Sequence, residues 1–454
     1  MHQKLVGALW IATCLAACGG ENAAWDPTLA PTSELYAPRR GLRVARGPIH
    51  LHSPYSHDAC DKLGYVDGVL NQACLDDLRT GLCKTHQDFA MLTDHADFFS
   101  AADWDAAFLP APGDEAVMVD GQHIASRLHC PDGTTVMLMV GSENELMPLG
   151  LHEHVADTVD ERRKILQGTD GATAKVLRSH GALIAIAHGE AHDYAQLIEV
   201  EPDALEIYNI HANLGPDIRL SMGLDPLAPI LAVLPFINMD QPDLIADLAF
   251  LVFWEENAYE IGRLDSMWSA GYHVTATLGV DAHENTIPGM FGDGERGDSY
   301  RRLLRWFSNH LLVTDVSPTA VTDAIKRGRA YGVFEVFGAP TGFDFRAEAA
   351  GTIAEIGDTV PLAAQEDLII EPPNVSGVAP QDLRLRMLRI DASGSQEIAV
   401  GSGAQPLHVR ADRPGAYRAE VRIRPRALRK YLGTLGSYAD NEFVWIYSSP
   451  IYVE

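Results

Sequence analysis

Two histidines two apart, His50 and His52, are the first residues of this chain that could do chemistry together, and Asp58 follows them closely. On a β-strand residues i and i+2 face the same side, so both imidazoles project to one point. Similar groups recur downstream, each after an apolar, strand-like run. Asp94 and His95 follow Phe89–Thr93. Glu143 follows Val136–Gly141, with Glu145 two residues on as the alternative carboxylate. His188 ends Leu183–Ala187, and Glu206 lies in Ala204–Tyr208. Asp281 and His283 follow Val274–Gly279. His152 and His154 flank Glu153 in the loop after Glu145, and either could complete the site. Singly, each group has a plain structural reading: Asp94 as a helix N-cap, His188 as a satisfied buried imidazole. Their recurrence at six strand ends is what independent structural roles do not explain. Imidazoles mixed with carboxylates suit Zn, Mn or Fe. The ligand set exceeds the needs of one tetrahedral ion, so two or three clustered metals are expected.

The elements that must position these groups alternate between strand-like and helix-like runs over residues 40–338, with helices expected at Asp160–Leu166 and Thr173–Ser179. That alternation predicts an α/β fold with a parallel sheet or barrel, whose functional residues gather at the carboxyl ends of the strands. Residues 101–128 read as an irregular excursion over the site, and 289–297 as a loop. Residues 339–454 change character: short alternating runs separated by turn residues predict an antiparallel β-sandwich.

The N-terminus predicts export. A short positive start and the apolar run Leu5 to Ala12 precede Leu15-Ala16-Ala17-Cys18. The run is too short to span a bilayer. Residues 1–17 read as a lipoprotein signal peptide with a lipobox before Cys18, an ordinary secretory peptide being the alternative. Residues 18–39 read as a flexible tether. The protein is thus expected to be lipid-anchored through Cys18 at the bacterial cell envelope, facing the periplasm or outer membrane. In that setting Cys60, Cys74, Cys83 and Cys130 can form disulfides, with three pairings open.

The formal net charge of the 454-residue chain is −27, and residues 339–454 hold only 12 Lys and Arg against 15 Asp and Glu, so most of the excess lies earlier. A strongly acidic surface argues against nucleic acid as the main partner.

The order His-x-His, Asp-His, Gly-x-Glu, His, Ala-His, then Asp-x-His over residues 44–288 resembles the polymerase and histidinol phosphatase (PHP) family of metal-dependent hydrolases, in layout its exported CehA/McbA-like branch. The resemblance implies a distorted (β/α)7 barrel with metals at the carboxyl ends of its strands. It implies His50, His52, Asp58, His95, Glu143, His152, His188, Asp281 and His283 as metal ligands, with His154 the reserve for His152, Asp94 supporting His95 and Glu143 bridging two ions. Gly189 stands where many relatives have proline. The expected reaction is hydrolysis of a small-molecule ester, a phosphorylated one first, by a metal-bridging hydroxide. Asp281 or Asp58 would orient or deprotonate the water, beside the bridging Glu143. A carboxyl-ester, carbamate or amide hydrolase with the same metals is the second reading. A non-catalytic envelope binding protein is the third. Arg127, His211 and Asn213 are further candidates for touching substrate. The 339–454 domain is expected to support the site.

Overall fold

The computed structural model describes residues 30–454 apart from 190–191, 222, 239–242, 350, 365–366 and 376. The expected signal peptide, its Cys18 and most of the expected tether lie outside the described residues. Among those described, no helix is long and apolar enough to cross a membrane.

The fold is mixed α/β. Its first half contains β1 (Arg43–Gly47), β2 (Tyr65–Val66), β3 (Val69–Leu70), β4 (Phe89–Leu92), β5 (Glu115–Val119), β6 (Gln122–His129), β7 (Thr135–Val140), β8 (Met147–Leu149), β9 (Leu183–Ile186), β10 (Ala204–Asn209), β11 (Thr275–Gly279), β12 (Ser308–Val313) and β13 (Ala330–Val333). Two four-stranded sheets, ordered β4-β7-β6-β5 and β8-β9-β10-β11, flank the site. The pairs β4–β7, β9–β10 and β10–β11 are parallel. These strands are buried along their whole length, as parallel strands covered on both faces must be.

The sheets do not close into one continuous ladder among the described residues. What joins them is sparse: isolated parallel bridges from Leu51 to Leu92 and to Ala282, and bonds from the Ser142 N–H to the Pro148 carbonyl and from the Leu151 N–H to the Val140 carbonyl. The expected strand Val44–His52 is accordingly two pieces. β1 pairs antiparallel with β12, and the His50–His52 piece sits between the ends of β4 and β11. Pro48, which has no N–H to give a ladder, stands at the break.

Helices between the strands start where the sequence supplies caps. Asn71 accepts from Cys74 N–H, Thr158 from Glu161 and Asp170 from Thr173, opening Gln72–Lys84, Val159–Leu166 and Gly171–Ser179. Gln72–Lys84 turns Leu75, Leu78 and Leu82 into the core. Disulfides Cys60–Cys74 and Cys83–Cys130 tie its two ends to neighbouring loops. They suit an oxidising, extracytoplasmic compartment.

The second half adds β14 (Asp344–Ala349), β15 (Thr352–Glu355), β16 (Thr359–Val360), β17 (Asp367–Glu371), β18 (Leu383–Asp391), β19 (Gly394–Ser402), β20 (Leu407–Arg410), β21 (Gly415–Ile423), β22 (Phe443–Ser448) and β23 (Ile451–Val453). One sheet is β15-β14-β17-β20. The other is nine-stranded and runs β1-β12-β13-β22-β21-β18-β19, with β23 on β21 and β16 on β23. Its β13–β22 pairing, Gly332 opposite Tyr447, carries the ladder across residue 338.

Two expectations change. Residues 101–128 are not wholly irregular, because β5 and β6 form an antiparallel hairpin extending the β4–β7 sheet. The end of the expected tether is folded: Tyr36 is buried edge-on against His310, and Ser33 Oγ donates to Asp88. An aromatic ring that can cover an interior histidine overrides a local composition that reads as linker.

Candidate metal centre

Each ligand candidate arrives on its own short segment, and the local backbone explains the aim. Leu51 points to the core between Leu92 and Ala282, so alternation sends His50 and His52 together to the other side. His95 follows β4. The Asp94 carboxylate accepts from Ser53 N–H and Ser53 Oγ, tying the loop after His52 to the end of β4. Gly141 lets β7 pass against the Pro148 carbonyl, where a Cβ would collide, and Glu143 follows directly. His188 and Asp281 both hold left-handed backbone, with φ of 48° and 51°. That conformation is uncommon outside glycine and concentrates at functional sites.

The side chains converge. His50 Nε2 lies 3.1 Å from His52 Nε2, and each of these nitrogens is 3.3 Å from Asp281 Oδ1. Glu143 Oε2 is 3.6 Å from His50 Nε2 and 3.3 Å from His52 Nε2. The other oxygens of both acids turn to a second group. Glu143 Oε1 and Asp281 Oδ2 are each 3.3 Å from His188 Nε2, and Asp281 Oδ2 is 3.2 Å from His211 Nδ1. A third group lies toward solvent, where Asp58 is 3.8 Å from His95 Nε2 and 3.5 Å from His283 Nε2. The His52 and His283 rings stack 3.8 Å apart. Glu143 and Asp281 therefore each face two groups, one oxygen to each.

Several rings also have their outer nitrogen held. His50 Nδ1 is 2.8 Å from Glu206, His52 Nδ1 is 3.0 Å from Ser56 Oγ, His95 Nδ1 is 2.9 Å from the Glu143 carbonyl, and His283 Nδ1 is 2.8 Å from the Asp281 carbonyl. Partners of this kind fix ring orientation at metal sites.

The electrostatics are those of a site crowded with like groups. Burial lowers the His50 and His52 pKa values, but the surrounding carboxylates, Asp281 foremost, reverse this; His50 rises well above the ordinary imidazole value and His52 to about 9. Burial, then the neighbouring His52, pulls His283 down to about 3. Burial pushes the Glu143 and Asp281 carboxyls up, but the facing imidazoles, His50 first, hold both well below the carboxylate range.

The residues fit divalent metal ions. His50 Nε2 and His52 Nε2 face each other at a distance where both cannot donate, and a shared cation would satisfy both lone pairs. Asp281 Oδ1 and His283 Nε2 are buried with no hydrogen-bond partner among the described residues. Three groups inside the centre each bring their ligand atoms within 4.8 Å of one another: His50, His52, Glu143 and Asp281; His52, His95 and His283; His211, Asp281 and His283; at its mouth His57, Asp58 and His95 do the same.

The structure thus brings together His50, His52, Asp58, His95, Glu143, His188, Asp281 and His283. It does not bring in His152. β8 runs antiparallel to β9 with Leu149 opposite Leu183, so the chain leaving β8 emerges beside the start of β9, whereas His188 follows its end. His152 packs over Gly181, and its N–H donates to the His180 carbonyl. The reserve, His154, bonds the Ala102 carbonyl beside Trp104. Glu145, the alternative to Glu143, is exposed and 3.8 Å from His192. Arg127 lies on the hairpin beside Glu115, and Asn213 is buried against the Asn209 carbonyl.

His211 takes the place expected of His152. It sits in the short helix Ile210–Leu214, capped by Asn209, directly after β10. The signal was present: a strand ending in polar residues with a histidine two beyond Asn209.

No family model matches the chain, and no curated protein matches it. Among solved structures, a two-domain protein containing a predicted PHP-like metal-dependent phosphoesterase, from Bacteroides vulgatus, aligns over 86% of this chain and 94% of its own, at 10% identity and a TM-score of 0.34. PsfC from Pseudomonas syringae aligns over 62% of this chain and 88% of its own, at 12% identity and a TM-score of 0.31.

Proposed function

We propose that the chain is a metal-dependent hydrolase, and a phosphoesterase first. The observation that carries this is the double-facing arrangement of Glu143 and Asp281, each giving one oxygen to the His50–His52 group and the other to His188. Two adjacent cation positions sharing carboxylates match the demand of phosphoryl transfer, where attacking and leaving oxygens both need stabilisation. His50, His52, Glu143, Asp281, His188 and His211 would hold two ions, and Asp58, His95 and His283 would extend the site to a third; Zn, Mn and Fe suit this donor set. Bound there, the metals supply Lewis-acid polarisation of the ester and a source of nucleophilic water near neutral pH.

The chain's own groups do the rest. The buried walls keep bulk water from the inner ligands: His50 and His52 are fully buried and Asp281 nearly so. Asp58, partly exposed at the mouth, is placed to orient a water or accept its proton, a role that Asp281, surrounded by imidazoles, is not placed to share. His57 stands outside it, its ring 4.8 Å from that of His95 and 3.4 Å from Asp97, where substrate would enter.

The ring of segments around the site, Leu51, β4, β7, β8, β9, β10 and β11, supports reading it as a distorted seven-membered barrel. Residues 339–454 would buttress it; Arg422 and the Tyr447 hydroxyl hold Glu256. The two disulfides support an exported protein, and anchoring through a lipid on Cys18 is part of the same proposal. Elemental analysis of purified protein is expected to find two or three transition-metal ions per chain. In a panel of p-nitrophenyl phosphate, bis-p-nitrophenyl phosphate and p-nitrophenyl acetate, with Mn or Zn added, hydrolysis of a phosphate ester is expected. Turnover of the acetate alone would replace phosphoesterase with carboxyl-ester hydrolase; absence of bound metal would remove the catalytic reading.

A further inference from the structure

Glu206 is 1% exposed and belongs to none of the three ligand groups just named. Its Oε2 is 2.8 Å from His50 Nδ1, and a carboxylate there can only accept. A ring hydrogen of His50 therefore sits on Nδ1, which leaves Nε2 as the nitrogen that can ligate an ion beside His52, Glu143 and Asp281. Glu206 Oε1 accepts from Asn209 Nδ2 at 2.7 Å. The same amide nitrogen is 3.1 Å from Asp281 Oδ2, so its two hydrogens serve one carboxylate each. Asn209 Oδ1 accepts from Ala212 N–H and so caps the helix that carries His211. One buried pair thus touches three of the proposed ligands: His50, Asp281 and, through the helix cap, His211.

The fold makes room for the pair in two ways. In a regular strand residues i and i+3 face opposite sides, yet Glu206 and Asn209 both face the site. The register of β10 against β11 shifts between Glu206 and Tyr208, and that irregularity turns Asn209 inward. On β11, Gly279 stands opposite Asn209, and any Cβ there would fall on the Glu206 carboxylate. The carboxylate occupies the space that the missing side chain leaves.

The geometry points to Glu206 as a positioning residue that, clipped by Asn209 and housed by Gly279, sets which nitrogen of His50 faces the metal centre. This rests on the metal-dependent reading above. Such partners are worth about 10–100-fold in metal affinity.

The test is titration of metal-free, full-length protein with Co(II), followed by calorimetry and by the visible absorption of the bound ion. Glu206→Gln keeps the volume but presents an amide hydrogen to either His50 or Asn209. Gly279→Ala displaces the carboxylate without touching it chemically. Both are expected to bind Co(II) about 10–100-fold more weakly than wild type and to shift its visible band. Glu335→Gln, which removes a buried carboxylate that pairs with Arg46 and His310 away from the site, serves as the control. It is expected to lower the melting temperature and leave Co(II) binding unchanged. Wild-type affinity and an unshifted band in Glu206→Gln would overturn the assignment, as would an equal loss of affinity in Glu335→Gln. If wild-type protein itself took up no Co(II), the metal-dependent reading would fail first and carry this one with it.

Discussion

Among the described residues, two regions bring three or more ligand-type side chains within reach of one ion, and they are built on opposite principles. One is the centre around Glu143 and Asp281. The other joins Asp247, Asp293 and Glu295. In the second cluster the acids already have their counter-charges. Arg301 forks onto Asp247 at 2.8 and 2.6 Å, Arg302 reaches Asp247 at 2.6 Å and Asp293 at 2.9 Å, and Arg301 also pairs with Glu295. Guanidinium donors in a fixed fork satisfy carboxylates without a metal. In the first cluster every described ion pair of Glu143 and Asp281 is with a histidine. A neutral imidazole offers a lone pair where a guanidinium offers only hydrogens. The lesson is that proximity of acids does not define a metal site; the chemistry of what faces them does.

The comparison is broken or sharpened first by paired substitutions. Asp281→Asn should remove bound metal and cost about a thousandfold or more in turnover, because metal contributions run to several kcal/mol and about 1.4 kcal/mol is tenfold. Asp247→Asn should leave metal content and turnover alone and lower unfolding free energy by about 1–3 kcal/mol, read from urea midpoints, because fully buried Arg302 loses one of its carboxylates and keeps Asp293 and Glu295. Loss of metal in Asp247→Asn would erase the distinction.

Acid should separate the clusters next. Burial raises the Asp247 and Glu295 carboxyls, but the arginines, Arg301 foremost, bring both below their ordinary values. A folded pKa below the unfolded one contributes stability that is fully present above the unfolded value, near 4, and is lost as pH falls through the folded value. The part of the acid-induced fall in denaturant midpoint that this cluster sets in the metal-free protein should therefore begin only below about pH 4, read as the difference between wild type and Asp247→Asn. In Asp247→Asn that acid-dependent fall should be shallower; an identical slope would show that the arginine pairing does not set it.

The smallest effect tests the edge of the first cluster. His152→Ala should leave metal stoichiometry and turnover at wild-type levels and stability within about 0.5 kcal/mol. A missing metal ion in this variant would return His152 to the ligand set.

Much of the centre was legible because a strand's alternation is a local property. His50 and His52 share a face whatever the rest of the chain does, and apolar runs ending in His188 or Asp281 announce buried strands with polar ends. The α/β alternation of residues 40–338 and the antiparallel strands beyond follow from the same periodicity. What escaped was long-range. His152 is as close in sequence to Glu143 as a ligand could be, yet β8 runs against β9 and carries it to the other end of the sheet. His211 read as a substrate contact and not as a ligand because its aim depends on a cap at Asn209 and an irregular register in β10. The hairpin of β5 and β6 went unread because its outward residues include Met118 and Val119, which obscure the polar alternation of an edge.

By itself, the sequence determined the donor types, their order along the chain and the parity of each local pair, because these depend on residue identity and on the two-residue period of a strand. The tertiary structure alone decided which donors meet. It turned one carboxylate oxygen of Glu143 and Asp281 to each side, excluded His152, admitted His211, and paired Cys60 with Cys74 and Cys83 with Cys130. The physical reason is that strand direction, sheet order and register are fixed by pairing between segments far apart in the chain, and a reversal or a one-residue shift moves a side chain to the opposite end or face of a sheet.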